Sequence, residues 1–384
     1  MYDLVIRNGT VLDPVLGTSE VRDLYIKDGR FAPPGCHGQA ARELQAEGCY
    51  VAPGFIDAHI HVNSGSSQLG IRADIICPPG GVTTAIDPGS AGIYNFRGFY
   101  EHEIVSSYTT IKATISPTKS GVQMAPHEEI VDPVFGTPER LRPFFEQYGN
   151  TLVGIKQRIN WEVTREYGLK SLEQSAKTAR ILRDEGFRCH LMIHFGDLGE
   201  SCTLSQALDL LEPGDVFTHI YRPAIGTTIF DEDGRVAECV RKARARGVIF
   251  ESGCARSHCS FESIRKGFAD GFRPDIISTD IVNYTAFFAP SGWLPLKMAI
   301  YLEAGMSLED VVKAVTYTPA QVWEILDEAG PLETGRPADV TIFRLEDSHR
   351  RLDDLYGGSM ELSRLLVPMA TIKRGGVVFQ QLTF

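Results

Sequence analysis

Apolar runs and amphipathic segments alternate through the middle of the chain. Eight runs, YVAPGFIDAHIHV, GVTTAIDPG, TIKATISP, TLVGIKQR, FRCHLMIHF, DVFTHIY, GVIFESG and PDIISTDI, fall between residues 50 and 281. Several are separated by stretches with helical spacing, for example SLEQSAKTARILRDEG (171–186) and GRVAECVRKARARG (234–247). Strand–helix alternation of this kind predicts a parallel sheet with crossover helices. Eight strands over about 230 residues predict an α/β fold of the (β/α)8 TIM-barrel type across residues 51–334. A doubly wound open sheet is the competitor, but neither GxGxxG nor a Walker pattern is present to support it. Met298 to Ile325 reads as helical and amphipathic and would close the barrel.

The two ends of the chain have a different period. DLVIRNGTVLDP and VRDLYIKDGRF at the start, and ADVTIFRLE and MATIKRGGVVFQ at the end, read as short β runs. Asn8-Gly9, Asp28-Gly29 and Gly375-Gly376 are turn dipeptides between them. These ends predict a small β-sandwich domain assembled from residues 1–50 and 335–384.

Composition narrows the partners. A net charge of −11, from 38 basic and 49 acidic residues, disfavours nucleic acid and anionic membrane surfaces. No apolar run reaches membrane-spanning length, and MYDLVIRNGTVLDP lacks a signal-peptide pattern. The eight cysteines are scattered, and some (Cys77, Cys189) lie in apolar runs, which fits reduced thiols better than a disulfide framework. A soluble cytoplasmic protein is expected.

The chemistry lies where the runs end. In a barrel the C-terminal ends of the strands form the active site. The residues there are His59 and His61 (first run), Lys156 (fourth), His194 (fifth), His219 (sixth) and Asp280 (eighth). Residues i and i+2 of an extended chain share a face, so His59 and His61 can turn neutral nitrogens to one ion, with Asp57 on the same side. A plain ammonium would be repelled by nearby cations. Addition of CO2 to Lys156 would instead give a carbamate, an anionic oxygen donor able to bridge two ions. Taken alone, Lys156 also reads as a surface or ion-paired lysine.

The stretches GFIDAHIHV, GVTTAIDPGSAGIYNFRGFYEHEI, NTLVGIKQRIN, FTHIYR, GFRPDIISTDI and the tail beginning TGRPADVTIF resemble the amidohydrolase superfamily. The resemblance is to its binuclear members, which include dihydroorotases, hydantoinases and D-aminoacylases, and more closely to the amidohydrolase/deacetylase branch. It implies His59, His61 and Asp280 at one metal, His194 and His219 at the other, and carboxylated Lys156 between them. Zinc is the usual occupant in such families; manganese or iron also suit nitrogen and oxygen donors. Two ions sharing a water lower its pKa, and Asp280 beside that water would act as the proton shuttle.

The implied activity is metal-dependent hydrolysis of an amide or ester in a small N-acyl or O-acyl carboxylic acid, through a metal-bridging hydroxide. A cyclic amidohydrolase or lactonase opening a ring uses the same centre. A catalytically dead barrel serving assembly is a third reading, weakened because all six ligand positions are present. The surplus positive charge of the ions favours an anionic small-molecule substrate, and a homo-oligomer is expected. Arg158 and Arg222 follow ligand positions and could hold a carboxylate bidentately or form plain ion pairs. The loop holding Tyr94, Asn95 and Arg97 is expected to shape the pocket. The branch's GHG-type loop after strand seven reads ESGCARSHCSF here, so Cys254 stands where a histidine is expected and His258 follows four residues later; that loop overhangs the mouth, and both residues are candidate substrate contacts. Read as a metal site, Cys254, His258 and Cys259 lack the paired spacing of zinc knuckles. His190 lies deeper along its strand and reads as a core residue, while His37, His102, His127 and His349 fall in polar or loop surroundings.

Overall fold

The computed structural model describes residues 1–35, 39–123, 129–200, 202–288 and 292–384; His37 and His127 lie outside them. Seven of the eight apolar runs form strands: Phe55–Asp57, Val82–Pro88, Thr110–Ile115, Leu152–Arg158, His190–His194, Val216–Thr218 and Ile249–Phe250. They pair in sequence order, every neighbour parallel, as a seven-stranded sheet. All of them therefore point the same way, and their C-terminal ends collect on one rim.

The eighth run behaves differently. Residues 276–281 make single backbone pairings with both edges of the sheet, Glu251 with Ile276 and Ile60 with Ile281. Asp280 N–H donates to the His59 carbonyl at 2.7 Å and Ser252 N–H to the Ile276 carbonyl at 3.0 Å. No continuous ladder forms there because the Asp57 carboxylate accepts from Thr279, N–H at 3.1 Å and hydroxyl at 2.6 Å. A side chain thus occupies a place that a strand would fill.

Crossover helices cover the outer face. Lys170–Asp184 buries Leu172, Ala176, Ala179 and Leu182, the stripe expected of a helix lying on a sheet. Glu238–Ala245 begins four residues later than its sequence pattern, because Asp231 first accepts from the amides of Asp233 and Arg235 and holds a turn. The stretch from Met298 to Ile325 is divided into Leu294–Glu303, Leu308–Ala314 and Tyr317–Val322. Gly305 takes a φ of +105°, and the Ser307 hydroxyl caps the next helix through Asp310 N–H. Among the described residues no helix is long and apolar enough to cross a membrane.

Both termini build one mixed sheet. Tyr50–Pro53 is its central tie, parallel to Tyr2–Asp13 and antiparallel to Val340–Asp353. Asp28-Gly29 makes a hairpin turn as expected, with φ of +51° and +72°. Asn8-Gly9 does not turn the chain. It forms a bulge inside Tyr2–Asp13, where the pairing slips between Ile6 and Gly9. Near the end, Arg374 and Gly375 take the positive φ values and Gly376 already starts a strand. The long hairpin Val340–Asp353/Ser359–Lys373 reaches back over the parallel sheet's rim. There Asp354 accepts from Phe261 N–H and the Tyr356 hydroxyl donates to the Ser257 carbonyl, each at 2.8 Å.

Candidate metal centre

The rim brings together two groups of donors, His59/His61/Asp280 and His194/His219/His258, each with its ligand atoms within 4.8 Å of one another. In the first, Asp280 Oδ1 lies 3.2 Å from His59 Nε2 and 3.3 Å from His61 Nε2. In the second, His219 Nε2 is 2.8 Å from His194 Nδ1. Asp280 joins the groups, since its other oxygen lies 3.9 Å from His219 Nε2.

The far nitrogens of three rings are tied down. His59 Nδ1 is 3.2 Å from both Glu251 Oε2 and Thr218 Oγ1, and His61 Nδ1 is 2.6 Å from Ser90 Oγ. His219 Nδ1 donates to the Gly253 carbonyl at 2.8 Å. Fixing Nδ1 leaves each Nε2 lone pair facing inward, the arrangement that orients imidazole ligands. Glu251 escapes sequence reading, because a carboxylate after Phe250 looks like any polar residue ending a strand.

Backbone geometry is specialised at the same places. His219 and Asp280 both take left-handed φ, +65° and +51°. Such conformations in non-glycine residues cost on the order of 1–3 kcal/mol and concentrate at functional sites. Gly253 (φ +44°) brings its carbonyl under His219, and a Cβ there would stand 2.6 Å from His219 Nδ1. Gly89 leaves room for Lys156 in a similar way.

Electrostatics test whether cations fit. Lys156 is 1 % exposed, and its Nζ has no hydrogen-bond partner among the described residues. Burial pushes its ammonium down to about 8, and its charge is felt by His59, His194 and His219. An orphaned buried amine among imidazoles is poorly satisfied as an ammonium. As a carbamate it would supply an anionic donor beside these imidazoles. Burial also holds His194 and His219 well below the ordinary histidine range, with neighbouring imidazoles adding to the effect. They are therefore neutral, as metal ligands must be. Burial works against ionised Asp280, but the charge of His59 and the hydrogen bonds of His59 and His61 prevail and keep it well below the usual carboxylate range. The donor set fits divalent cations.

A cavity of about 470 Å³ opens over these groups, with His61, His194, His258 and Asp280 at its base. Arg158 forms part of its wall, yet its Nη1 is already 2.7 Å from the buried Glu129 carboxylate. Arg222 lies outside the lining, donating to the Thr227 carbonyl and stacking 5.3 Å over Phe195. Tyr94 is exposed and Asn95 fastens the carbonyls of Ser66 and Ser120; neither lines the cavity. Cys254 is buried and joined by a disulfide to Cys259, so this pair is not a pair of thiols as expected. The bond closes one short loop and makes no framework. His190 sits at the opposite end of its strand, 2.9 Å from Glu324.

Known proteins are similar to this chain in sequence and in fold. Residues 220–378 match the profile of the amidohydrolase family. A deacetylase of Agrobacterium fabrum is 31 % identical over 345 residues, covering 89 % of this chain and 82 % of the relative. A crystal structure of a dihydroorotase superposes with a TM-score of 0.89 at 28 % identity, over 99 % of this chain and 98 % of that one. One of an adenine deaminase also gives 0.89, at 25 % identity over 99 % and 100 %. With a relative at this identity along most of its length, and histidines gathered at the rim of a parallel sheet, the chain belongs to the amidohydrolase family.

Proposed function

We propose that this metal-dependent amidohydrolase is a deacylase, hydrolysing the amide or ester bond of a small N-acyl or O-acyl carboxylic acid. His59, His61 and Asp280 would hold one divalent cation, His194 and His219 a second, with Lys156 as its N6-carboxylate between them; zinc suits the donors. The observation that carries the reading is the buried, unpartnered Nζ of Lys156 beside these imidazoles. Bound there, the cations would lower the pKa of a shared water and polarise the scissile carbonyl.

The remaining work falls to the chain's own side chains. Asp280, kept ionised, takes the attacking water's proton and returns it to the leaving amine or alcohol. Glu251, Ser90 and the Gly253 carbonyl hold the imidazoles in place. Arg158, already one half of an ion pair with Glu129, would offer a substrate carboxylate its remaining guanidinium N–H groups from the cavity wall. In this reading residues 276–281 close an eight-stranded barrel over 51–334, and residues 1–50 and 335–384 form the accessory domain. Deacetylase relatives support deacylation; the dihydroorotase likeness keeps ring opening as the second reading, since both reactions use the same centre.

Three measurements test the proposal. Purified protein grown with zinc and bicarbonate is expected to carry cations and the mass of one CO2. Asp280→Asn is expected to lower kcat by about 10²–10⁴; full activity in that variant would remove Asp280 from its role. Scoring a substrate panel for acetate release against ring opening decides between the two reactions.

A further inference from the structure

His258 lies on the loop between Ile249–Phe250 and Phe261–Ala269, in the Cys254/His258/Cys259 group that lacks the paired spacing of a zinc knuckle. Its ring nevertheless stacks on His219, with centroids 4.1 Å apart and planes at 27°, and meets His194 edge-on at 5.0 Å. It is half-buried, packed against both and facing the cavity.

The loop is fastened at several points. The Cys254–Cys259 disulfide closes it, and His258 N–H donates to the Ala255 carbonyl at 3.1 Å. From the far hairpin, Tyr356 holds Ser257 and Asp354 holds Phe261. Tyr356 and Asp354 grip main-chain groups of the loop, and the imidazole faces its two neighbours.

We propose that His258 is a third imidazole donor to the second divalent cation. The two sites would then differ: His59, His61 and Asp280 at the first, and His194, His219 and His258 at the second. This rests on the metal centre proposed above and gives it a distinct chemical character. Three neutral nitrogens with an open position are a sufficient zinc set. The second cation would then be retained without the Lys156 carbamate, and its charge would not be offset by a protein carboxylate of its own. The stronger local positive charge favours anionic substrates in the cavity directly above.

The test is metal content and chelator competition on wild-type protein, His258→Gln, Lys156→Ala and the double variant, each prepared metal-free and reloaded with zinc. Wild type is expected to hold two ions. His258→Gln is expected to keep the first ion and bind the second about 10–100-fold more weakly, the range seen even for groups supporting a ligand. Lys156→Ala is expected to retain the second ion, and the double variant to lose it. A second ion bound as tightly by His258→Gln as by wild type, or loss of both ions, overturns the role of His258. If wild type takes up no cation, the metal centre itself falls, which is a different result. Should His258→Gln not fold, a structure of zinc-loaded wild type decides: a His258 nitrogen about 2.0–2.1 Å from the ion supports the proposal, and a ring turned away refutes it.

Discussion

Gly89 offers the most direct perturbation of the centre, because one added methyl group would meet Lys156. Its φ is +76°, and a Cβ built on it would stand 2.7 Å from Lys156 Cβ and 3.0 Å from Lys156 Cγ. Those atoms belong to the base of a side chain on strand Leu152–Arg158, so they cannot swing aside as a flexible tip could. Gly186 provides the control, with φ +91° and no atom within 4 Å of the place its Cβ would take. Alanine at either position carries the left-handed backbone penalty, roughly 1–2 kcal/mol. Only Gly89→Ala adds overpacking, about 1–3 kcal/mol. Gly186→Ala should therefore lose about 1–2 kcal/mol and Gly89→Ala about 2–5 kcal/mol, read as shifts in urea midpoint at unchanged slope. Because the clash pushes on Lys156, Gly89→Ala should also take up less CO2 and zinc, whereas Gly186→Ala should match wild type. Equal midpoint shifts for the two variants would refute the packing argument. A destabilised Gly89→Ala with full CO2 and zinc would refute the link to Lys156.

Three further outcomes are expected. Glu251→Ala frees His59 Nδ1 from its carboxylate and should weaken zinc binding about 10–100-fold; unchanged chelator competition would show that Glu251 does not orient the ring. Carboxylation needs the neutral amine, and burial lowers Lys156 from 10.5 to about 8. The neutral fraction therefore grows as pH rises towards about 8 and levels off above it, instead of growing up to 10.5, so at a fixed concentration of dissolved CO2 the reactivation of metal-free protein by CO2 and zinc should accelerate up to about 8 and then level off; a rate still climbing well above 8 would contradict the prediction. Arg158→Ala strands the buried Glu129 carboxylate and should cost about 3–5 kcal/mol. Adding Glu129→Gln should recover most of that stability while KM for an acylated acid stays raised, and a KM restored to the wild-type value would make Arg158 purely structural.

Much of the centre was legible because its logic is local. Strands covered on both faces read as unbroken apolar runs, and the residue ending each run is the one delivered to the rim. His59 and His61 needed only the two-residue period of an extended chain. What escaped depended on groups brought together by folding. The eighth segment looked like its fellows, but Asp57, 222 residues earlier, takes Thr279 and displaces the ladder. Asn8-Gly9 suited a turn or a bulge equally, since both use positive φ, and only pairing with Tyr50–Pro53 and Thr18–Lys27 decides between them. Tyr94 and Asn95 follow a strand as pocket residues do, yet Asn95 spends its amide on neighbouring loop carbonyls.

His258 shows why a loop histidine resists sequence reading. Its position depends on a disulfide five residues wide and on a hairpin tip 93 to 99 residues farther along the chain. The same tip places Leu355 in the cavity lining. The terminal sheet therefore does more than cover the ends of the chain: its longest hairpin helps set both the shape of the mouth and the placement of the His258 imidazole. A change in that hairpin would be felt at the centre without altering any residue that follows a strand of the parallel sheet. Relatives with matching strand-end residues but a different tip would then share the chemistry of the rim and differ in which substrate the cavity admits.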